Sequence, residues 1–503
     1  MFEGLFSFGR SIATLSTPET IFYALLASLV GVVMGALPGL TATMALALMT
    51  TLTLKLQPNQ ALLILICTYV GAIYGGSRSA ILLNIPGTPA SAASCLDGYA
   101  LARQGMAGRA MGIATSGSVL GTLIGMFFLA FFTPLLGNLA LKFGAYEFFW
   151  LALFGVIIAG TLTGDDPLKG WIAGIAGLFI AGIGQEPQYG YERFAYGVRD
   201  LAGGLQLVPA LVGAFGFAEL LTAIKERQLP VKVSAFDTVI PRLKDITQYW
   251  RTILRSGLIG TGVGIVPGVG EDVAAWSSYA AAKRASKEKA LFGKGSIEGF
   301  MAAETGDNAC VPGAIIPVLT LAIPGSAPAA VLMAAMIIHG VKPGPMIMIE
   351  NPQFVYDVVA MMLFATIGIL LYGLVLTKAL IQVLRVPQHF IVPIIFVLCA
   401  VGSFAIAGRL FDVYVMLFFG VLGFWLRHYG YPMAPLVLGI VLGDLLEKNL
   451  RRALILSDGD LLPFFTRPIS AVVAAMIFGT IAWKLWGLSK ISRRTGIPAG
   501  SDS

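Results

Sequence analysis

Two stretches of this chain are too long to be single membrane-crossing helices, and each carries a Pro-Gly pair near its centre. Thr20–Leu54 and Ala309–Val341 contain no Asp, Glu, Lys or Arg. As one helix, the first would extend ~52 Å at about 1.5 Å per residue, against a hydrocarbon core about 30 Å thick. Each stretch must therefore turn, and Pro38-Gly39 and Pro324-Gly325 stand where the turn is needed. Proline removes a backbone donor and crowds the preceding turn. Glycine supplies the backbone angles that other residues avoid.

Two further charge-free windows, Ala110–Leu141 and Val386–Gly408, extend the pattern. Only 12% of residues are charged, against about 25% in soluble domains, and the mean hydropathy is +0.82. The apolar runs do not alternate every second residue as barrel strands do. The fold class expected is an all-α polytopic membrane protein with about 12 transmembrane helices, some broken or re-entrant. Glycine pairs four apart, such as Gly31/Gly35, Gly121/Gly125 and Gly170/Gly174, suit close helix packing in lipid.

The net charge of +7 is confined to loops and ends, as in Lys225–Arg251, Lys283–Lys294 and Lys490–Arg494. By the positive-inside rule these face the cytoplasm, so no nucleic-acid partner is expected. Four scattered cysteines and three scattered histidines match no metal or redox spacing. No cleavable signal peptide is read ahead of Thr20. Trp171, Trp483 and Trp486 read as interfacial residues.

The chain also echoes itself. Gly35–Leu48 resembles Gly264–Tyr279, and Ala80–Ala93 resembles Leu319–Ala335. The segments from Asp166 and Leu207 have partners near Phe411 and Met433, in the same order. The organisation expected is an N-terminal segment (1–19), a first membrane repeat (20–225), a basic cytoplasmic connector (226–251), a second repeat (252–487) and a basic tail (488–503). Corresponding loops carry opposite charge bias, which favours inverted repeats.

Broken helices at membrane depth are tolerated where protein or a water-filled cavity surrounds them. A break frees amide N–H groups, which attract carboxylates, and carbonyls, which suit a small hard cation. The binding site expected thus combines Gly39, Thr41 and Thr43 with Asn84, Gly87, Thr88 and Ser91, and with Asn308, Gly325 and Ser326. A Na⁺ site is expected at backbone carbonyls near Pro38, Pro86, Pro267 and Pro324. Glu304 and Asp307 read equally as functional groups or as parts of an interfacial loop. Glu271 and Asp272 read as charges at a helix N-terminus. Arg78 reads as an anchor near an interface, with pairing to a substrate carboxylate as the alternative, and Asp444/Lys448 as an ordinary i,i+4 pair.

Two long blocks, "YVGAIYGGSRSAILLNIPGTPASAASCLDGYALARQG" and "GFMAAETGDNACVPGAIIPVLTLAIPGSAPAAVLMAAMIIHGVKPGP", resemble the large integral membrane subunit of the tripartite tricarboxylate transporter family. The resemblance covers about Phe22 to Lys484. It implies a bacterial inner-membrane secondary transporter for citrate or related carboxylates. The implied partners are a small four-span membrane subunit and a periplasmic solute-binding protein, with Na⁺ or H⁺ as coupling ion and no other cofactor. Matching positions carry over Asn84, Gly87, Thr88, Asn308, Gly325 and Ser326. Asp307 departs from the family pattern, which more often has Asn there. An ABC-type importer subunit is the alternative, but the chain has no GxxxxGK[ST] loop. No nucleophile–base pair or HExxH motif points to an enzyme.

Overall fold

The computed structural model describes residues 2–37, 39–163, 166–186, 190–225, 243–375 and 388–495. Pro38, most of the connector (226–242) and the last eight tail positions (496–503) lie outside the described residues. The expected all-α architecture is what the chain adopts. Helices α1 (Phe2–Leu15), α2 (Pro18–Ala36), α3 (Ala42–Leu52), α4 (Pro58–Leu83), α5 (Ala92–Arg103) and α6 (Ala107–Ala140) come first. A single 3₁₀ turn, Pro89–Ser91, precedes α5. Then follow α7 (Ala145–Leu162), α8 (Pro167–Ala181), α9 (Arg199–Ala202), α10 (Leu207–Leu211), a π-helical turn over Val212–Phe217, and α11 (Ala218–Lys225). Beyond the connector lie α12 (Leu243–Gln248), α13 (Trp250–Ile265), α14 (Gly270–Ala285) and α15 (Ile297–Leu321). They are followed by α16 (Ala327–Ile338), α17 (Ile347–Glu350) and α18 (Gln353–Val375). The later long helices are Gln388–Ala407, Leu410–His428, Met433–Leu456 and Pro468–Thr495.

Among the described residues, 6 helices are long and apolar enough to cross a membrane, and shorter apolar helices accompany them. The start sites follow from local chemistry. Thr17, Thr41, Ser296 and Ser326 each accept a backbone N–H from the first turn of the helix they precede, the ordinary role of a hydroxyl at an N-cap.

The chain divides into two compact units, residues 1–141 with 205–426, and residues 142–204 with 427–503. Each unit draws on both sequence halves. In the larger, α2 packs on α4, α13 on α15 and α6 on α15. Glycine makes these approaches feasible: a Cβ on Gly31 or Gly35 would run into the carbonyls of Thr68 or Ala72 on α4. On Gly260 it would strike the Gly306 carbonyl, and on Gly121 that of Thr305. Close backbone contact is the main source of helix–helix attraction where lipid is as apolar as the side chains.

In the smaller unit, α7 and the helices Met433–Leu456 and Pro468–Thr495 enclose an aromatic core of Tyr146, Trp150 and Phe464, and α8 packs on α7 and on Met433–Leu456. Gly177 lies against Leu436 and Gly439. Ion pairs Arg193–Glu447 (2.6 Å) and Arg467–Glu147 (3.0 Å) add polar links. Lys448 pairs with Asp444 at 2.6 Å, the i,i+4 contact read from the sequence.

Candidate functional site at the Pro-Gly elements

Both long charge-free stretches break where the sequence requires. α2 stops at Ala36, Gly39 takes φ 89°, and α3 begins after Thr41. α15 stops at Leu321 and α16 begins after Ser326. Two further Pro-Gly pairs separate long helices: Pro86-Gly87 lies between α4 and α5, and Pro267-Gly268 between α13 and α14. Pro343-Gly344 lies in the loop before the short α17, and Pro312-Gly313 lies inside α15 without breaking it.

Two of these breaks have the same backbone design. α4 ends on Asn84 in the left-handed conformation (φ 57°, ψ 28°), and α15 ends on Ala322 in the same conformation (φ 56°, ψ 36°). In each, the glycine N–H returns to the preceding helix, from Gly87 to the Gly76 carbonyl and from Gly325 to the Ala314 carbonyl, both at 3.3 Å. A Cβ on Gly87 would collide with the carbonyl of Gly35 on α2. One on Gly325 would collide with that of Gly264 on α13. Only glycine lets these crossings form, which explains both positions without recourse to a ligand.

Side-chain chemistry gathers on α4 and α15 between the two breaks. Ser326, at the start of α16, is 1% exposed, and its hydroxyl accepts from the Ala329 N–H. The same Oγ lies 2.7 Å from the Tyr69 hydroxyl, which donates to Glu271 in the first turn of α14. Further along, the buried Glu304 carboxylate accepts from Ser77 of α4 (2.7 and 2.6 Å), from Ser94 of α5 and from Ser118 of α6 (3.3 Å). Asn308 donates to the Ser118 hydroxyl at 2.9 Å and to Asp307 Oδ1 at 2.8 Å.

Arg78 corrects its sequence reading. It is 2% exposed and lies deep against Tyr74 (4.1 Å to the ring centroid), with Nη1 donating to Met111 Sδ at 2.7 Å. An arginine with an aromatic face and a buried carboxylate within electrostatic reach does not need an interface. Glu304 and Asp307 likewise lie within α15 and are wholly buried, so the interfacial-loop alternative fails for both.

The remaining expected site residues have varied surroundings. Thr88 and Ser91 are buried beside Gly76, with Ser91 Oγ accepting from the Thr88 N–H (3.3 Å) and Thr88 Oγ1 left without a partner. Asn84, Ile85 and Pro86 are exposed. Thr41 uses its hydroxyl to cap α3, while Thr43 is buried on that helix. The Pro324 carbonyl accepts from the Gly268 N–H at 3.3 Å, which links two of the four breaks directly.

Several central residues carried no advance signal: Tyr69, Ser77, Ser94 and Ser118 are ordinary helix residues in sequence. Asp97 gave none either. Its Oδ1 accepts the N–H groups of Gly293, Gly295 and Ser296, each at 2.8 Å, and its Oδ2 accepts from the Tyr279 hydroxyl at 2.8 Å. It fixes the loop that launches α15.

Paired broken helices in a multi-pass helical bundle, with hydroxyl and amide side chains between them, are the arrangement of a class: membrane transport proteins. Within that class, the chain belongs to the tripartite tricarboxylate transporter TctA family, whose pattern matches residues 21–438. It is a membrane component of a transporter in that family. It is similar to an uncharacterized 52.8 kDa protein in the TAR-I ttuC' 3' region of Agrobacterium vitis, with 36% identity over 464 residues, 92% of each chain. It is also similar to an uncharacterized protein in the TAR-II ttuC' 3' region of that organism, 37% identical over 212 residues, or 42% of this chain and 88% of that one. No solved structure matches.

Proposed function

We propose that the chain is the large permease subunit of a secondary transporter importing tricarboxylates or related carboxylates across a bacterial inner membrane. In this reading it works with a small four-span membrane subunit and a periplasmic solute-binding protein, and a Na⁺ or H⁺ gradient supplies the energy. It has no enzymatic activity of its own. The observation that carries the reading is the matched pair of Pro-Gly elements, each with a left-handed helix end, a glycine tied back to its own helix, and a hydroxyl residue following. Such an arrangement suits two halves of one site, with substrate held between them and exposed alternately to either side. The echo of the first half in the second, and the inversion of one relative to the other, belong to the same proposal.

Chemistry at the two elements fits an anion. The starts of α5 and α16 supply backbone N–H groups, which favour carboxylates. Thr88 Oγ1 is buried and unpartnered, so it has hydrogen-bonding capacity to spare. An ATP-driven importer offers no use for such paired breaks and is not favoured.

The test is reconstitution of the chain with its small partner in liposomes, supplied with binding protein carrying radiolabelled citrate. Uptake should require an inward Na⁺ or H⁺ gradient and should fall in Thr88→Val and Ser326→Ala while the folded fraction is unchanged. Uptake indifferent to both gradients defeats the secondary-transport reading. Uptake untouched by both substitutions leaves the Pro-Gly elements as scaffold only.

A further inference from the structure

Among the described residues, the larger unit holds six buried carboxylates but only one buried guanidinium or ammonium group, that of Arg78. Three are provided for locally, Asp97 by backbone N–H groups, Asp245 by Arg109 and Asp412 by Arg409, which leaves Glu271, Glu304 and Asp307. Glu304 is the best provided. Three serine hydroxyls donate to it and Arg78 acts on it electrostatically. Such a shell stabilises an ionised carboxylate. Glu271 accepts from Tyr69 and lies in the first turn of α14, where negative charge is favoured.

Asp307 has no such provision. Its Oδ1 accepts from Asn308, while its Oδ2 has no partner, and neither does Asn308 Oδ1. Both side chains are 0% exposed. The charged groups that act on Asp307 are carboxylates: Glu304 on its own helix and Glu271 on α14. The other titratable groups in the neighbourhood are the thiols of Cys310 on α15 and Cys95 on α5, Asp272 on α14, and Tyr69, Tyr74 and Arg78 on α4. On α13, Arg255 lies 3.9 Å from Glu298, and at the start of α6, Arg109 is paired with Asp245. An ionised Asp307 would be a buried charge with a bare Oδ2, donors from Asn308 only and two like neighbours, which costs several kcal/mol. A proton on Oδ2 removes that cost.

Position makes the group more than a neutralised acid. On one side, Glu304 is bonded to Ser77 and Ser94. Ser77 adjoins Gly76, which lies against Thr88, and Ser94 follows Ser91 in the first Pro-Gly element. On the other side, Glu271 is joined through Tyr69 to Ser326 of the second element. Asp307 thus has two carboxylates near it, Glu271, hydrogen-bonded through Tyr69 to the second Pro-Gly element, and Glu304, hydrogen-bonded to serines that neighbour the first element in sequence. We propose that Asp307 carries the coupled proton of transport, so that the coupling ion is H⁺; this rests on the permease reading above. One proton adds to the ionised carboxylate from one side of the membrane and leaves to the other, with one O–H bond formed and then broken and no electron moved.

The experiment has two arms. In liposomes carrying the full chain and its small partner, with citrate-loaded binding protein, citrate exchange at zero gradient is compared with net accumulation under an inward pH gradient or an inward Na⁺ gradient. The pH gradient should drive accumulation in the wild type. In Asp307→Asn the ratio of pH-driven accumulation to exchange should collapse to its zero-gradient value, whereas Asp307→Glu should retain the pH dependence. Accumulation driven by Na⁺ alone, or a pH-driven ratio preserved in Asp307→Asn, overturns the proposal.

A wild type that exchanges no citrate defeats the permease reading for that substrate, and the second arm then decides Asp307 separately. Infrared difference spectra of the full chain in lipid, taken between alkaline and acid pH, should contain the carbonyl stretch of a protonated carboxyl group. That band should vanish in Asp307→Asn and shift in Asp307→Glu. A band indifferent to both substitutions overturns the assignment.

Discussion

The two Pro-Gly elements share a backbone but differ in what surrounds it. The first places Asn84 at the left-handed helix end, a residue type that tolerates that conformation, and its Asn84-Ile85-Pro86 segment is exposed. The second places Ala322 there, where a side chain without local hydrogen bonding costs about 1–2 kcal/mol, and its Ile323–Ser326 segment is buried. Polar engagement differs in the same sense. Thr88 has an unpartnered hydroxyl, whereas Ser326 is engaged by Ala329 and Tyr69, with Glu271 behind. One element has spare capacity; the other is bound into a buried network and holds its strained residue only because packing over-determines it.

The sharpest way to break this comparison is to fill both glycine crossings. Gly325→Ala drives a Cβ into the Gly264 carbonyl and against Ala314, all in buried backbone. It should cost about 3 kcal/mol, at the upper end of overpacking effects, or prevent assembly. Gly87→Ala meets the Gly35 carbonyl too, but its loop is flanked by exposed residues that can shift, so about 1–2 kcal/mol is expected. Thermal unfolding in a mild detergent measures both, and an equal loss would erase the distinction between a tight and a yielding element.

Tyr69→Phe comes next in size. It takes a donor from buried Glu271 and a partner from Ser326, leaving unsatisfied groups worth about 1–3 kcal/mol. Thr88→Val removes a hydroxyl that has no partner, so its cost to stability should be within about 0.5 kcal/mol. A large loss from Thr88→Val would mean that the first element is bonded into its surroundings as fully as the second.

Glycine at the left-handed ends should separate the elements by how much strain each relieves. Ala322→Gly removes the conformational cost and should stabilise by about 0.5–1 kcal/mol after the entropy of glycine is counted. Asn84→Gly starts from a tolerated residue and should change stability by only about 0.3 kcal/mol. The same unfolding assay applies, and a loss in Ala322→Gly would show that the alanine methyl group contributes more packing than the strain it carries.

The smallest effect concerns the far ends of the helices that follow. α16 ends at His339, whose Nε2 lies 3.3 Å from the Thr53 hydroxyl, and burial holds its pKa below the usual value. α5 ends at Gln104, which donates to the Lys294 carbonyl at 2.9 Å and does not titrate. The unfolded state binds the His339 proton more readily, so stability from this source is present above about pH 6.5 and is lost as pH falls through the lower folded value. His339→Gln should flatten that slope, while Gln104→Ala should leave it unchanged.

What could be read in advance follows from how local each constraint is. The breaks at 37–41 and 322–326 were legible because a Pro-Gly pair stood near the centre of each long charge-free run; length alone did not require them, since Ala110–Leu141, without such a pair, runs as the single helix α6. Thr41 and Ser326 stand at those breaks as the sequence suggests, but each also serves as an N-cap. Arg78 misled because a lone basic residue between apolar runs has a surface explanation in sequence, and only packing reveals Tyr74, Met111 and Thr115 around it. Asp97 was silent because its partners, the amides of 293–296, lie almost two hundred positions away.

The sequence alone determined that this chain is helical, lies in a membrane and breaks its longest apolar runs near Pro-Gly pairs, because hydropathy, charge and backbone restriction act within a few residues; that Pro312-Gly313 passes inside α15 unbroken was not legible. Only the tertiary structure decided which hydroxyls surround Glu304, that Tyr69 joins Glu271 to Ser326, and that Asp307 is left with one bare oxygen. Those facts depend on helices brought together by close glycine contacts, and a helix's own residues do not state which neighbour it will meet or which face it will turn toward it.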